Sequence, residues 1–284
     1  MENVTLNTGN QMPLVGFGTF RIQGYEVIYQ CLDAALQHGY RSFDTATVYN
    51  NEADMGRALK VLLPKHGLTR QDIFITSKLA PKDHGQDAEA AGLRSLAALD
   101  CDYLDLYLIH WPGKQGWKRE DLRNRESRRQ SWESLEKLKQ AGSFRAIGVS
   151  NYTVDHLKEL LAGCQVHPAV LQVEYHPLLV QLDLLHFCQE AGIHLQAYSS
   201  LGVGTLVQRD EIKRVAERCR RTPAQVLLRW AVQQGIGVIP KSTSPAHIAE
   251  NFQLSDFALS APDVEELSKL HSDTHYCWDP TTVA

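Results

Sequence analysis

Short apolar, β-like runs recur along the chain, each followed by a helical pattern, and this alternation limits what the chain can fold into. Strands that alternate with helices lie parallel in one sheet. The units are Leu14–Thr19 then Val27–His38; Arg41–Thr45 then Glu52–Leu63, stopped by Pro64; and Asp72–Ser77 then Ala88–Leu99. Next come Asp105–His110, a long polar loop and Ser131–Gln140; Phe144–Ser150 then Val154–Leu161, with Thr153 as N-cap; and Val170–Glu174 then Leu182–Glu190. The last are His194–Ser199 then two helices, Glu211–Arg218 and Pro223–Gln233; and Gly237–Pro240 then Pro245–Phe252, with a final helix at Asp263–Leu270. Eight such units predict a closed (β/α)8 TIM barrel, an α/β fold of about 250 residues. Thr5–Met12 reads as a β-hairpin turning at Gly9-Asn10, which would cap one end of the barrel.

At 284 residues, with 43% hydrophobic composition and no linker or low-complexity segment, the chain is expected to form a single domain over 1–284. A net charge of −4 gives no electrostatic case for nucleic acid or an anionic membrane. No apolar stretch approaches the ~20 residues that span a bilayer. The N-terminal residues lack a basic and then apolar signal pattern, so the expectation is a cytoplasmic protein. Six widely spaced cysteines without a C-x-x-C pair argue for reduced thiols and against zinc or a disulfide framework.

Several runs end in residues that can do chemistry: Asp44, Lys78, His110, Asn151 and Lys241, with Tyr49 just past one end. A parallel barrel builds its active site at the carboxyl ends of its strands, so Asp44, Tyr49, Lys78 and His110 are expected to converge. Tyrosine is a poor acid near neutrality, with a reference pKa of ~10. An adjacent ammonium lowers that value. Lys78 can supply the charge, Asp44 can hold Lys78, and His110 can hydrogen-bond a substrate oxygen. Such a set can protonate a carbonyl oxygen while hydride reaches its carbon.

The stretch Gly39-Tyr40-Arg41-Ser42-Phe43-Asp44-Thr45-Ala46, with Glu52 and Gly56, resembles the first signature of the aldo-keto reductases. Phe144–Tyr152 resembles a second and Ile239-Pro240-Lys241-Ser242 the start of a third, and the resemblance runs from Met12 to Phe252. It implies an NADPH-linked carbonyl reductase, monomeric, with Tyr49 as proton donor assisted by Lys78, Asp44 and His110. It further implies that Thr19 and Asp44 lie beside the cofactor. Ser150, Asn151 and Gln172 would hold the nicotinamide carboxamide, Tyr198 would stack on its ring, and Ser199, Leu201 and Gly202 would approach the pyrophosphate. Lys241, Ser242 and Thr243 would meet the 2′-phosphate, and Asn251 the adenine. An arginine usually stands where this chain has His247. A guanidinium binds phosphate as a permanent charged fork, whereas histidine is mostly neutral at pH 7. The expectation is a weakened preference for NADPH, still favoured through Lys241, with NADH tolerated.

Phe20, Trp111 and Trp278 are expected to wall the substrate side, suiting apolar or aromatic carbonyl compounds. The short tail after the last helix suggests an open pocket and broad specificity. The loop after His110 carries Lys114, Lys118, Arg119, Arg123, Arg125, Arg128 and Arg129; it would either favour anionic substrates or form a solvated surface of mixed charge. Three alternatives stand beside a reductase: a cofactor-sensing regulatory subunit with little turnover, an aldolase using Lys78 as a Schiff base, and a metal hydrolase using Asp44, His110 and His176. The aldolase leaves Asn151, Gln172 and Lys241 unexplained, and the hydrolase lacks close ligand spacing.

Overall fold

The computed structural model describes residues 2–284. A two-stranded antiparallel hairpin, β1 (Asn3–Thr5) and β2 (Gln11–Pro13), precedes eight parallel strands. These are β3 (Phe17–Gly18), β4 (Ser42–Asp44), β5 (Phe74–Leu79), β6 (Leu104–Ile109), β7 (Phe144–Ser150), β8 (Val170–Glu174), β9 (His194–Tyr198) and β10 (Gly237–Val238), paired in chain order. A parallel bridge between Val15 and Val238 joins the last strand to the first and closes the barrel. Val238 N–H donates to Leu14 O at 2.7 Å and Gly16 N–H to Val238 O at 2.8 Å. The seam explains Gly18: a Cβ there would sit 2.7 Å from Ile239 O.

Alternation along the strands decides what enters the barrel, because successive side chains point to opposite faces. Phe74, Leu106, Leu108, Ala146 and Val170 form the inner apolar cluster, and Leu6 and Met12 of the hairpin plug it from below. The intervening residues, such as Ile75, Tyr107, Ile109, Ile147 and Leu171, pack outward against the helices. The inner parity carries upward to Asp44, Lys78, Gln172 and Gln196, all buried. The barrel interior is therefore apolar at the amino ends of the strands and polar at the carboxyl ends.

The helices are α1 (Tyr25–Gln37), α2 (Glu52–Lys65), α3 (Ala88–Leu99), α4 (Arg123–Gln140), α5 (Val154–Gly163), α6 (Leu182–Glu190), α7 (Asp210–Cys219), α8 (Pro223–Val232), α9 (Pro245–Phe252) and α10 (Ala261–Ser268). Thr153 caps α5 as expected, its hydroxyl accepting from His156 N–H at 3.3 Å. Three expectations are corrected. Pro64 does not stop α2; it sits in the last turn, where a missing N–H costs one bond. β5 extends through Lys78 to Leu79, so Lys78 belongs to the strand itself. The loop after His110 is shorter than its polarity suggests, since Arg123 to Arg129 already belong to α4. That turn of helix is held by charge rather than by an apolar stripe: Arg129 pairs with Glu126 at 2.6 Å and with Glu133, at helical spacing. Among the described residues, no helix is long and apolar enough to cross a membrane.

Candidate active site

The carboxyl ends of β4, β5 and β6 bring the four expected residues together. Lys78 is fully buried, and its ammonium donates to Asp44 Oδ1 at 2.6 Å, Thr45 O at 2.9 Å and the Tyr49 hydroxyl at 3.2 Å. All three ammonium hydrogens are thus satisfied, which a buried cation requires. Tyr49 lies in a short 3-10 turn after β4 and is pinned there by Gln23, whose amide donates to Tyr49 O at 2.6 Å. The His110 ring meets the Tyr49 ring edge-on, with centroids 5.6 Å apart. His110 Nδ1 is buried without a hydrogen-bond partner among the described residues.

The electrostatics differ from the sequence expectation in one respect. Burial pushes the Tyr49 phenol well above its ordinary value, and the Asp44 and Cys277 charges push the same way. The Lys78 ammonium, paired to Asp44 at 2.6 Å and 3.2 Å from the Tyr49 hydroxyl, does not bring the phenol below its ordinary value against that burial. Lys78 itself falls below the usual lysine range because its desolvation outweighs the pull of Asp44. Burial, then Lys78 and His84, hold His110 well below the ordinary histidine value. At neutral pH the site therefore presents a protonated phenol, a lysine–aspartate pair and a neutral imidazole.

Gln172 was expected only to face a carboxamide, yet it also ties the pair to the far side of the barrel. Its amide nitrogen donates to Asp44 Oδ2 at 2.8 Å and to Gln196 Oε1 at 2.8 Å. Beside it, Tyr198 hydroxyl donates to Asn151 Oδ1 at 2.6 Å, and Asn151 Nδ2 donates to His110 O at 2.9 Å and Ser150 Oγ at 3.1 Å. Asn151 and Ser199 hold positive φ, of 63° and 53°, at the ends of β7 and β9. Non-glycine residues seldom adopt that region, and such strain concentrates at functional sites. Thr19 is buried with its hydroxyl on Asp44 O at 2.8 Å. Sequence reasoning missed Gln196 and Glu174; both lie on the inward parity of their strands, which is the signal that could have found them.

The remaining expected residues form two groups around this centre. Lys241, Thr243 and His247 are exposed, Ser242 accepts Ser244 N–H at 3.1 Å, and Asn251 is buried on α9. In the turn after β9, Gly202 and Gly204 N–H donate to Ser199 O and Leu201 O, at 2.7 and 3.0 Å. Those amides are thus committed to the turn rather than free for phosphate. Gly202 is required instead by packing: its φ is +55°, and a Cβ would clash with Leu206 at 2.5 Å. On the other side, Phe20 stands 5.1 Å from Tyr49 between ring centroids, and Trp111 meets Trp278 edge-on at 5.9 Å. The basic side chains after His110 are largely engaged: Arg123 with Asp121, Arg128 and Arg125 with Glu159, and Lys114 with His84 O. That pairing favours the mixed-charge surface over an anion trap. His176 is buried against Glu174 at 3.0 Å.

Comparison with known proteins agrees with this geometry. A sequence model of the Aldo/keto reductase family matches residues 14–272. The chain is 41% identical over 273 residues to the glyoxal reductase of Bacillus subtilis, covering 96% of this chain and 94% of that protein. It is 43% identical over 284 residues to an aldo-keto reductase of Mycolicibacterium vanbaalenii, covering 99% and 96%. Among solved structures, the aldose reductase of Schistosoma japonicum superposes with a TM-score of 0.87 at 36% identity, over 96% of this chain and 93% of that one. An aldo-keto reductase from a Medee basin deep-sea metagenome superposes at 0.86, also 36% identical, over 96% of both chains. A closed barrel with a buried lysine–aspartate pair beneath a tyrosine, matched over nearly its whole length by a family model and by relatives of this identity, leaves one assignment: the chain belongs to the aldo/keto reductase family and is an oxidoreductase of carbonyl compounds.

Proposed function

We propose that the protein reduces aldehydes and ketones to alcohols with a nicotinamide cofactor, NADPH before NADH, and that Tyr49 donates the proton. The observation that carries this reading is the contact of Lys78 Nζ with both Asp44 and the Tyr49 hydroxyl inside the barrel mouth. A general acid must hold its proton until the base appears. Burial keeps Tyr49 protonated near neutrality, and the alkoxide formed when a carbonyl accepts hydride is a far stronger base than a phenolate. As the proton leaves, the Lys78 ammonium at 3.2 Å faces the new phenolate and stabilises it. Neutral His110, beside Tyr49, is suited to orient the carbonyl oxygen by a hydrogen bond.

The residues at the mouth fit a nicotinamide. Gln172 spends its amide hydrogens on Asp44 and Gln196, leaving its side-chain oxygen to accept from a carboxamide. Ser150 accepts from Asn151 and keeps its own hydroxyl hydrogen to donate. Tyr198 offers an aromatic face, fixed by its bond to Asn151. Bound there, the reduced nicotinamide supplies the hydride. Lys241, with Ser242 and Thr243, would meet the 2′-phosphate near the start of α9, where helix amides favour anions. His247 replaces a permanent charge by a neutral ring at this point, which weakens discrimination against NADH. A monomer is the form we propose.

The experiment is to mix the protein with reduced nicotinamide and an aromatic aldehyde and follow both the cofactor and the alcohol. Stoichiometric conversion is expected. Tight cofactor binding without turnover would instead favour a cofactor-sensing subunit.

A further inference from the structure

Gln196 sits inside the barrel, 1% exposed, and has no part in the proton transfer. It lies on β9 opposite Gln172 of β8 in the parallel register, which sets the two side chains next to one another on the inner face. Its other neighbour across the sheet is Gly237 of β10. A Cβ at Gly237 would already touch Gln196 Cγ at 3.4 Å, so a side chain there would crowd it. A buried amide costs free energy unless it is hydrogen-bonded, and a leucine would fill the same space without that cost. What Gln196 bonds is therefore the reason for a glutamine here. The bonds also fix which way each amide points. Asp44, the carboxylate partner of Lys78, only accepts. Gln172 must turn its nitrogen to Asp44 Oδ2, at 2.8 Å, and the second hydrogen on that nitrogen goes to Gln196 Oε1, also at 2.8 Å. Asp44 alone would fix one hydrogen and leave the amide plane free to turn, because terminal amide torsions are broad. Two acceptors on one nitrogen fix the plane, and the Gln172 oxygen is the group left to offer.

We propose that Gln196 is a positioning residue for cofactor recognition. By accepting the second amide hydrogen of Gln172, it fixes the Gln172 oxygen toward the nicotinamide and makes the site require a ring substituent that donates an N–H. The inference rests on the nicotinamide reading above. The ligand class it selects is a pyridine nucleotide that carries a carboxamide. The class it rejects has a substituent that can only accept, such as the methyl ketone of 3-acetylpyridine nucleotides. A site built to bond an N–H is left with a buried, unpaired acceptor when the analogue lacks that hydrogen, and this is the source of the selectivity. The same Gln172 nitrogen also holds Asp44, so a turn of this one side chain would loosen the carboxamide contact and the lysine–aspartate pair together.

The test uses Gln196→Met, which keeps an unbranched chain but removes the oxygen, and Gln196→Glu, which keeps an oxygen acceptor. Dissociation constants are measured by protein fluorescence for NADPH, for its reduced 3-acetylpyridine analogue, and for 2′,5′-ADP, which lacks the nicotinamide half. Wild type is expected to bind NADPH about tenfold more tightly than the analogue, the worth of one hydrogen bond. In Gln196→Met the two should bind within about twofold of each other, with 2′,5′-ADP within about twofold of wild type. Gln196→Glu should restore the preference. Without cofactor, the side-chain amide hydrogens of Gln172, followed by NMR, should exchange about tenfold faster in Gln196→Met than in wild type. If Gln196→Met fails to fold, Gln196→Leu carries the same measurements. An unchanged preference in Gln196→Met, unchanged exchange at Gln172, or an equal loss for 2′,5′-ADP overturns the proposal, as does equal binding of NADPH and the analogue by wild type. If wild type binds no pyridine nucleotide, the nicotinamide reading fails and the recognition role with it. Exchange at Gln172 still reports whether Gln196 fixes its amide, so the two failures are distinguishable.

Discussion

An ammonium buried as completely as that of Lys78 is tolerable only while Asp44 stays ionised beside it, because an unpaired charge in the interior costs several kcal/mol. Asp44→Asn is therefore expected to destabilise the protein by about 3–5 kcal/mol in chemical denaturation, as removal of one partner from a buried pair does. A loss under 1 kcal/mol would mean that water reaches the pair. The same substitution frees Lys78 from its orientation toward Tyr49, so turnover should fall with stability. Legibility at this scale was uneven. Asp44, Tyr49, Lys78 and His110 could be picked out because strand ends mark the mouth of a parallel barrel. The direction of the Tyr49 shift could not, because it is set first by how completely the phenol is buried and then by the Asp44 charge beside it, which no spacing in sequence encodes. Gln196 and Glu174 escaped notice because buried polar residues on an inward face look like ordinary strand positions until the parity of the whole strand is followed.

Elements were legible where an apolar period was present. α3, α6 and α9 occur where the pattern places them, and α5 starts at its threonine cap. α4 begins earlier than expected because its first turns are stabilised by ion pairs rather than by a buried stripe. The short strands β3 and β10 are trimmed because they meet at the barrel seam, where regular pairing gives way to the Val15–Val238 bridge. α9 carries a separate prediction. His247 lies exposed near its start, within the segment proposed to meet the 2′-phosphate. His247→Arg is expected to raise the ratio of NADPH to NADH affinity about tenfold, the gain of one charge-assisted pair at a surface site. Dissociation constants for both cofactors, measured by protein fluorescence, check it. An unchanged ratio would mean that Lys241 alone governs the choice.

At the scale of the whole molecule the closed barrel followed from eight strand-helix units, and the hairpin plug from the turn at Gly9-Asn10. How the tail lies over the mouth did not follow, since the bonds that hold it come from Glu174 on β8, Arg128 on α4 and His156 on α5, which share no local pattern. The fold also carries an acid sensitivity. His84 and His194 are held down to about 3 and about 4 by burial, with Lys114 and Arg128 adding to the effect at His84. Between those values and the ordinary 6.5 the unfolded chain binds protons that the folded one refuses, so stability falls as pH drops below about 6.5. At pH 5 each histidine should cost about 2 kcal/mol relative to pH 7. His84→Leu removes a ring with both nitrogens unpartnered, and it should reduce the difference between urea unfolding at pH 7 and pH 5 by about that amount. An unaltered difference would place the acid sensitivity elsewhere. The central claim, that Tyr49 is the acid of a carbonyl reductase, is tested most directly by Tyr49→Phe. With an aromatic aldehyde, kcat should drop about 10²–10⁴-fold while the cofactor dissociation constant stays within about twofold of wild type. Turnover within tenfold of wild type would contradict the account and move the proton donor to another group.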